Sequence, residues 1–268
     1  MLRILDVRFI QTGSSTSRIK FEVDSGPVGI GNRYLTLDHK RAYSLGNNCQ
    51  TCSFLFERLD GAIRSVEVDQ TAEALKAGVS SLSDPLVEEI GTGLPLGEYM
   101  ACLAETDLKI VRPGQEQDYF IKEQIDLWGE DTFWGLPDNP HVPYYRAGDM
   151  QLGQDAWLFN FVVPMFPNSW LKEKTLSSFT KQIIEGEHPT AVALSILDVK
   201  GPADWEGEKD ITEHWVFTHY LIDGHHKVAA AHAADRSIRL LSYLTLSQGV
   251  SNRGQVETVL SFLGGSQS

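Results

Sequence analysis

The chain has 268 residues, 42% of them apolar and 22% charged, with a formal net charge of −13. This is the composition of a soluble globular protein long enough for one large domain or two small ones. So acidic a surface repels a phosphate backbone and no basic patch offsets it, which disfavours nucleic acid as a partner.

The N-terminal "MLRILDVRFIQT" places Arg3, Asp6 and Arg8 where a secretion signal needs an unbroken apolar core, and it reads as a first strand. No later stretch is apolar for long enough to span a bilayer, so no membrane association is expected. "SRIKFEVD" (Ser17 to Asp24) alternates with period two, as a half-buried strand does. Gly26 to Asn32 is turn chemistry and lacks the Lys-Ser/Thr of a phosphate loop. Three cysteines occur: Cys49, Cys52 and Cys102. So few, in an odd number and without a secretion signal, point to a reducing cytoplasm. Cys49-x-x-Cys52 precedes a strand-like run, not a helix, and zinc would need Cys102, His39 or His141 as further ligands. Reduced, half-buried thiols are therefore expected. "SFLFERLDGAIRSVEVD" predicts two strands around an Asp60-Gly61 turn. "QTAEALKAG" and "DPLVEEIG" predict short helices, the first ended by Gly78, the second opened by Asp84 and Pro85.

Residues 112–166 are rich in Pro, Gly and aromatics. Gly129 to Met150 has little periodicity, so a long connection or lid packed by its own aromatic rings is expected there. The seam between two halves falls here. The organisation expected is α+β: a strand-rich unit over 1–111, a connection or lid over 112–156, and a C-terminal unit over 157–268. In that last part "NSWLKEKTLSSFTKQIIEGEHP" predicts a helix capped near Asn168 or Ser169, with Leu176, Phe179 and Ile183 on one face. "TAVALSILDV" and "HWVFTHYLI" are apolar on both faces, as central strands are. The acidic run Asp204 to Glu213 between them reads as a solvated loop. A helix from His225, with Val228, Ala231 and Ala234 toward the sheet, and a strand over "SIRLLSYLTL" complete the order helix, strand, strand, helix, strand.

The chemistry concentrates at Asp223-Gly224-His225-His226-Lys227, between the second central strand and the alanine-rich helix. A helix start exposes unpaired N–H groups and the positive end of the macrodipole. Gly224 lets the backbone turn sharply there. Lys227 adds a cation that an anion must balance, so the turn reads as a phosphate site. An ordinary capped turn is the alternative. Five of the eight histidines lie between His214 and His232, which invites a metal reading. Strand parity sets His214 and His219 on opposite faces, and His219 and His232 read as packing residues. No metal ligand set is selected.

The stretch "LIDGHHKVAAAHAADRSIRLLSYL" resembles the signature of the ParB/sulfiredoxin-like superfamily, over about Trp157 to Leu246. The resemblance implies a phosphate cradle at the helix start. The sulfiredoxin cysteine is replaced by His225, which disfavours sulfinic-acid reduction. The Glu-Arg-Arg turn with which ParB proteins hold CTP corresponds to His225, His226 and Lys227. Free-serine kinases carry Asp-Gly-His-Thr-Arg, matched at Asp223, Gly224 and His225, with His226 for Thr and Lys227 for Arg. The last change keeps the charge but not the bidentate contact. The resemblance thus implies a nucleotide-dependent phosphotransferase that takes ADP, ATP or CTP with Mg²⁺ and a small-molecule acceptor. Asp223 to Lys227 would hold phosphate, and His225 or His226 would donate hydrogen bonds or act in acid–base catalysis. Glu185, Glu187 and Glu213 are candidates for the required carboxylate, with Glu187 carried as the catalytic one. Two other classes stay open: a nucleotide-binding regulatory module without chemistry, and a metal-dependent nuclease.

Overall fold

A computed structural model describes residues 1–26, 29–62, 71–132, 135–203 and 212–265. The predicted strand after Asp60-Gly61 and most of the acidic run from Asp204 lie outside these residues. The chain is α+β, as its patterning predicts.

The main sheet has eight strands. Its centre is built from the two runs read as apolar on both faces, β10 (Thr190–Lys200) and β11 (Glu213–Asp223), and from the strand expected after the alanine-rich helix, β12 (Ile238–Thr245). Every residue of β10 is buried, because β11 flanks it antiparallel, β12 flanks it parallel, and layers cover both faces. Outward from β12 come β6 (Gly97–Thr106) and β1 (Arg3–Thr12), both antiparallel to their neighbours. Outward from β11 come β9 (Ala156–Val163), β8 (Tyr144–Leu152) and the short β7 (Lys109–Val111). Strands from all three segments drawn on the sequence, 1–111, 112–156 and 157–268, therefore share one sheet.

Nine residues of the expected connection, Tyr144 to Leu152, are thus a sheet strand. Their periodicity is hidden by Arg146, Gly148 and Asp149, where the pairing with β9 shifts register. Tyr144 of this stretch packs against rings from outside it, and Phe133 and Trp134 lie outside the described residues. Phe120, Tyr144 and Phe161 pack edge to face with Phe56, Tyr119 packs so against Phe120 and Phe161, and Tyr144 does so against Phe120 and Phe161, at centroid separations of 5.2 to 6.0 Å.

One face of the main sheet carries a four-stranded sheet of β2 (Ile19–Val23), β3 (Asn32–Leu37), β4 (Lys40–Asn47) and β5 (Glu57–Arg58). The helices α1 (Ala72–Ala77) and α2 (Pro85–Thr92) pack into the same core. Asp84 caps α2 through Leu86 N–H, as its sequence predicts. A 3-10 turn at Tyr119–Ile121 leads into α3 (Glu123–Trp128). Arg33 of β3 pins the small sheet to the large one. Its guanidinium grips the Asp198 carboxylate of β10 at 2.6 and 2.9 Å and also donates to Leu45 O and Gln248 O.

The opposite face is covered by α4 (Glu173–Ile184), α5 (His225–Ala234) and α6 (Arg253–Leu263). Leu176, Phe179 and Ile183 of α4 pack inward together, as predicted. The helix starts later than expected, with Lys172 at its cap, because Asn168–Trp170 form a separate 3-10 turn. Alanines at 229–231 let α5 lie close to the sheet. Among the described residues, no helix is long and apolar enough to cross a membrane.

Candidate functional site

The turn from β11 into α5 forms where the sequence places it. Gly224 is the cap residue, with φ +92°, in the left-handed region that side chains disfavour. A Cβ at this position would lie 2.6 Å from the Ala191 Cβ of β10, so the strand passes too close for any other residue. No side chain caps α5, and its first turn contains no acidic residue. The helix start thus keeps the positive end of its dipole uncompensated by a local carboxylate of its own.

The three cation-forming side chains that follow are turned to structural work. Lys227 is 5% exposed. Its ammonium donates to Thr190 O at 2.9 Å and to Asp223 Oδ2 at 3.0 Å. The anion that its position demands is therefore supplied by the chain, one helical turn back. His225 stacks on Phe166, with centroids 3.9 Å apart, and its Nε2 accepts from Met165 N–H at 2.8 Å. Burial holds its pKa down, to about 3. His226 is half-buried, and its Nε2 accepts from Lys172 N–H at 2.9 Å. Burial lowers its pKa too, helped by the nearby Lys172. The two imidazoles clamp both ends of the segment that joins β9 to α4. Since each Nε2 accepts, each neutral ring carries its proton on Nδ1.

The structure brings Asp223, Gly224, His225, His226 and Lys227 into one turn and leaves the carboxylates apart. Glu187 is exposed in the turn before β10, its backbone N–H bonded to Gln182 O. Among the described residues, no hydrogen bond or ion pair joins it to either histidine. Glu185 pairs with Lys181 at 3.7 Å. Glu213 starts β11 and accepts from Trp215 Nε1, and the strand's eleven residues carry it about 30 Å from Asp223. Glu213 cannot serve a ligand at the α5 start.

The other three histidines of the 214–232 cluster take packing roles. His219 is fully enclosed, with Nδ1 2.7 Å from Ser195 Oγ, and His214 Nδ1 lies 2.9 Å from Tyr119 Oη. Burial lowers both pKa values to about 3. His232 Nδ1 donates to Leu108 O at 3.1 Å. No three His, Cys, Asp or Glu side chains among the described residues converge as a metal site.

A second constellation departs from the sequence expectation. Cys49 and Cys52 are joined as a disulfide and are not two reduced thiols; only their half-burial is as expected. The β4–β5 loop brings the two Cα atoms within 5.5 Å, inside the reach of the bond. Lys200, the last residue of β10 and 1% exposed, donates to Asn47 O, Asn47 Oδ1 and Cys49 O at 2.9 to 3.3 Å. Burial drives its pKa down to about 8. Only the Cys-x-x-Cys spacing signalled this corner in the sequence. Nothing there marks Lys200 as its neighbour, 148 to 151 residues on in the chain.

Searches against protein-family models, curated proteins and solved structures find no match to this chain.

Proposed function

We propose that the protein binds a phosphate-bearing small molecule at the N-terminus of α5. The observation that carries this reading is the uncapped first turn of α5 behind a left-handed Gly224, with the one adjacent carboxylate, Asp223, already neutralised by Lys227. Backbone N–H groups would take the phosphate oxygens, and Nδ1–H of the half-buried His226 would add a side-chain donor. In this arrangement Lys227 removes repulsion from Asp223 and does not itself touch the ligand. His225 holds the Met165 backbone. The resemblance to the ParB/sulfiredoxin-like superfamily supports a nucleotide, ADP, ATP or CTP, as the ligand.

A nucleotide-dependent phosphotransferase is the fuller form of this reading. The side chains favour the regulatory form, binding without turnover. His225 is held neutral and engaged, and Glu187 bonds to neither histidine. The donor set does not fit Mg²⁺ among the described residues, so no step is assigned to it.

Calorimetric titration of ADP, ATP, CTP and inorganic phosphate into wild type and His226→Ala tests the site. Saturable binding is expected, weakened roughly 5-fold in the variant, as for one lost hydrogen bond. Incubation with ATP should release no phosphate in the regulatory form; turnover would restore the phosphotransferase reading. No binding by folded wild type would remove both.

A further inference from the structure

The Cys49–Cys52 bond closes a ring with a sequence separation of 3. So short a ring constrains the unfolded chain little, at the low end of what disulfides contribute. The loop is also held without it. Besides the three bonds from Lys200, Gly201 N–H donates to Gln50 O at 3.0 Å and Trp128 Nε1 to Thr51 O at 3.2 Å. Gly31 N–H donates to Asn48 Oδ1 at 2.9 Å, and Ser53 Oγ to Asp138 Oδ2 at 3.0 Å. A bond the loop does not need for its shape is free to open.

It is also reachable. Both sulfur-bearing residues are half-buried, whereas Cys102 is enclosed in the core with burial pushing its thiol up to about 12. Gln50 and Thr51, between the two cysteines, are exposed. They line an open cleft of about 640 Å³ together with Lys200, Gly201, Asn252 and Gln255, and the two cysteines flank this exposed pair in the chain. The Thr51 hydroxyl lies 3.5 Å from Cys49 Sγ, placed to donate to a thiolate there. The Lys200 ammonium sits on the Cys49 carbonyl and adds positive charge to the same corner.

We propose that Cys49–Cys52 is a thiol–disulfide exchange site that takes two electrons from a dithiol reductant approaching at the exposed Gln50–Thr51 loop beside this cleft. A reductant thiolate attacks Cys52 Sγ. The Cys49–Cys52 bond breaks and its electron pair leaves on Cys49 Sγ, where Thr51 donates a hydrogen bond. The reductant's second thiolate attacks its own sulfur in the mixed disulfide and expels Cys52 as a thiolate. The reductant departs as its disulfide, having lost two protons to solvent, and the two protein thiolates take two from solvent. The loop keeps its place through Lys200, Gly201 and Trp128.

Native full-length protein is equilibrated in buffers of set reduced-to-oxidised dithiothreitol ratio, alkylated, and read by peptide mass spectrometry alongside circular dichroism. The oxidised protein should carry no label at Cys49 or Cys52. Reduction should label both, with the fold retained, and transfer into oxidised dithiothreitol, which accepts the two electrons, should restore the unlabelled state. Cys102 should stay unlabelled throughout. A bond that resists dithiothreitol until the protein is denatured, or whose reduction unfolds the chain, would make it a structural staple and end the proposal. So would isolation of the pair as metal-bound thiolates.

Discussion

Three histidines, His214, His219 and His225, are held neutral by burial, each with its pKa lowered from 6.5 to about 3. In the unfolded chain each titrates near its ordinary value. Between about pH 6.5 and 3 the unfolded state therefore binds more protons, and stability must rise with pH. Their contribution is complete above 6.5 and is lost as the pH falls toward 3, by about 1.4 kcal/mol per pH unit for each histidine well below 6.5. Burial pushes the Asp138 and Asp149 carboxyls up, which acts in the opposite sense. Urea unfolding at pH 5.5 and at pH 7.5 brackets the ordinary histidine value, and a clearly lower midpoint is expected at pH 5.5. Equal midpoints would mean that these rings are not enclosed as described. The same residues show what the sequence could reveal of the site. The packing role of His219 was legible from strand parity. The partner of Lys227 was present only as a spacing of four from Asp223, across a helix start. Which anion answers that lysine depends on how deeply its side chain folds inward, and composition does not encode that.

Gly224 joins two elements, and its constraint belongs to neither alone. Beside the β11–α5 turn runs β10, whose Ala191 leaves no room for a methyl group: the added Cβ would meet Ala191 Cβ at 2.6 Å and Cα at 2.7 Å. Both atoms belong to a strand buried on each face and cannot move aside. Gly224→Ala adds this overlap to the cost of a left-handed backbone, together about 2–4 kcal/mol. A drop of that size in unfolding free energy is expected, and a variant as stable as wild type would require a different turn. The elements around this joint were legible because β10 and β11 are apolar on both faces and α4 has one apolar stripe. The strand β8 was not. Its ends are buried, but Arg146 and Asp149 in its middle pair with each other and Arg146 also pairs with Glu123, so charged side chains occupy sheet positions. The α6 helix carried a readable signal that the strand-centred pattern obscured: Asn252 and Gln255 form a reciprocal capping box.

At the scale of the molecule, segment 1–111 supplies both edges of the main sheet. Its β1 and β6 extend one side beyond β12, and its β7 closes the other side against β8. The four strands at the centre come from the C-terminal part, beginning at Ala156. Removing either part would strip the other of backbone pairing. Residues 157–268 would lose the β6 partner along eight residues of β12, from Ile238 to Thr245. In exchange they would expose a long unpaired edge. The buried Arg33–Asp198 pair adds a second tie between the small sheet and β10, and separating it would leave both charges enclosed without partners. These links couple the parts strongly enough that one cooperative transition is expected in urea, with tryptophan fluorescence and far-ultraviolet circular dichroism following the same curve. The six tryptophans are spread from Trp128 to Trp215, so fluorescence reports the later part of the chain, while circular dichroism sees all of it. Two separated curves would show that the edge strands unfold on their own, and the shared sheet would then be a weak seam between independently stable parts.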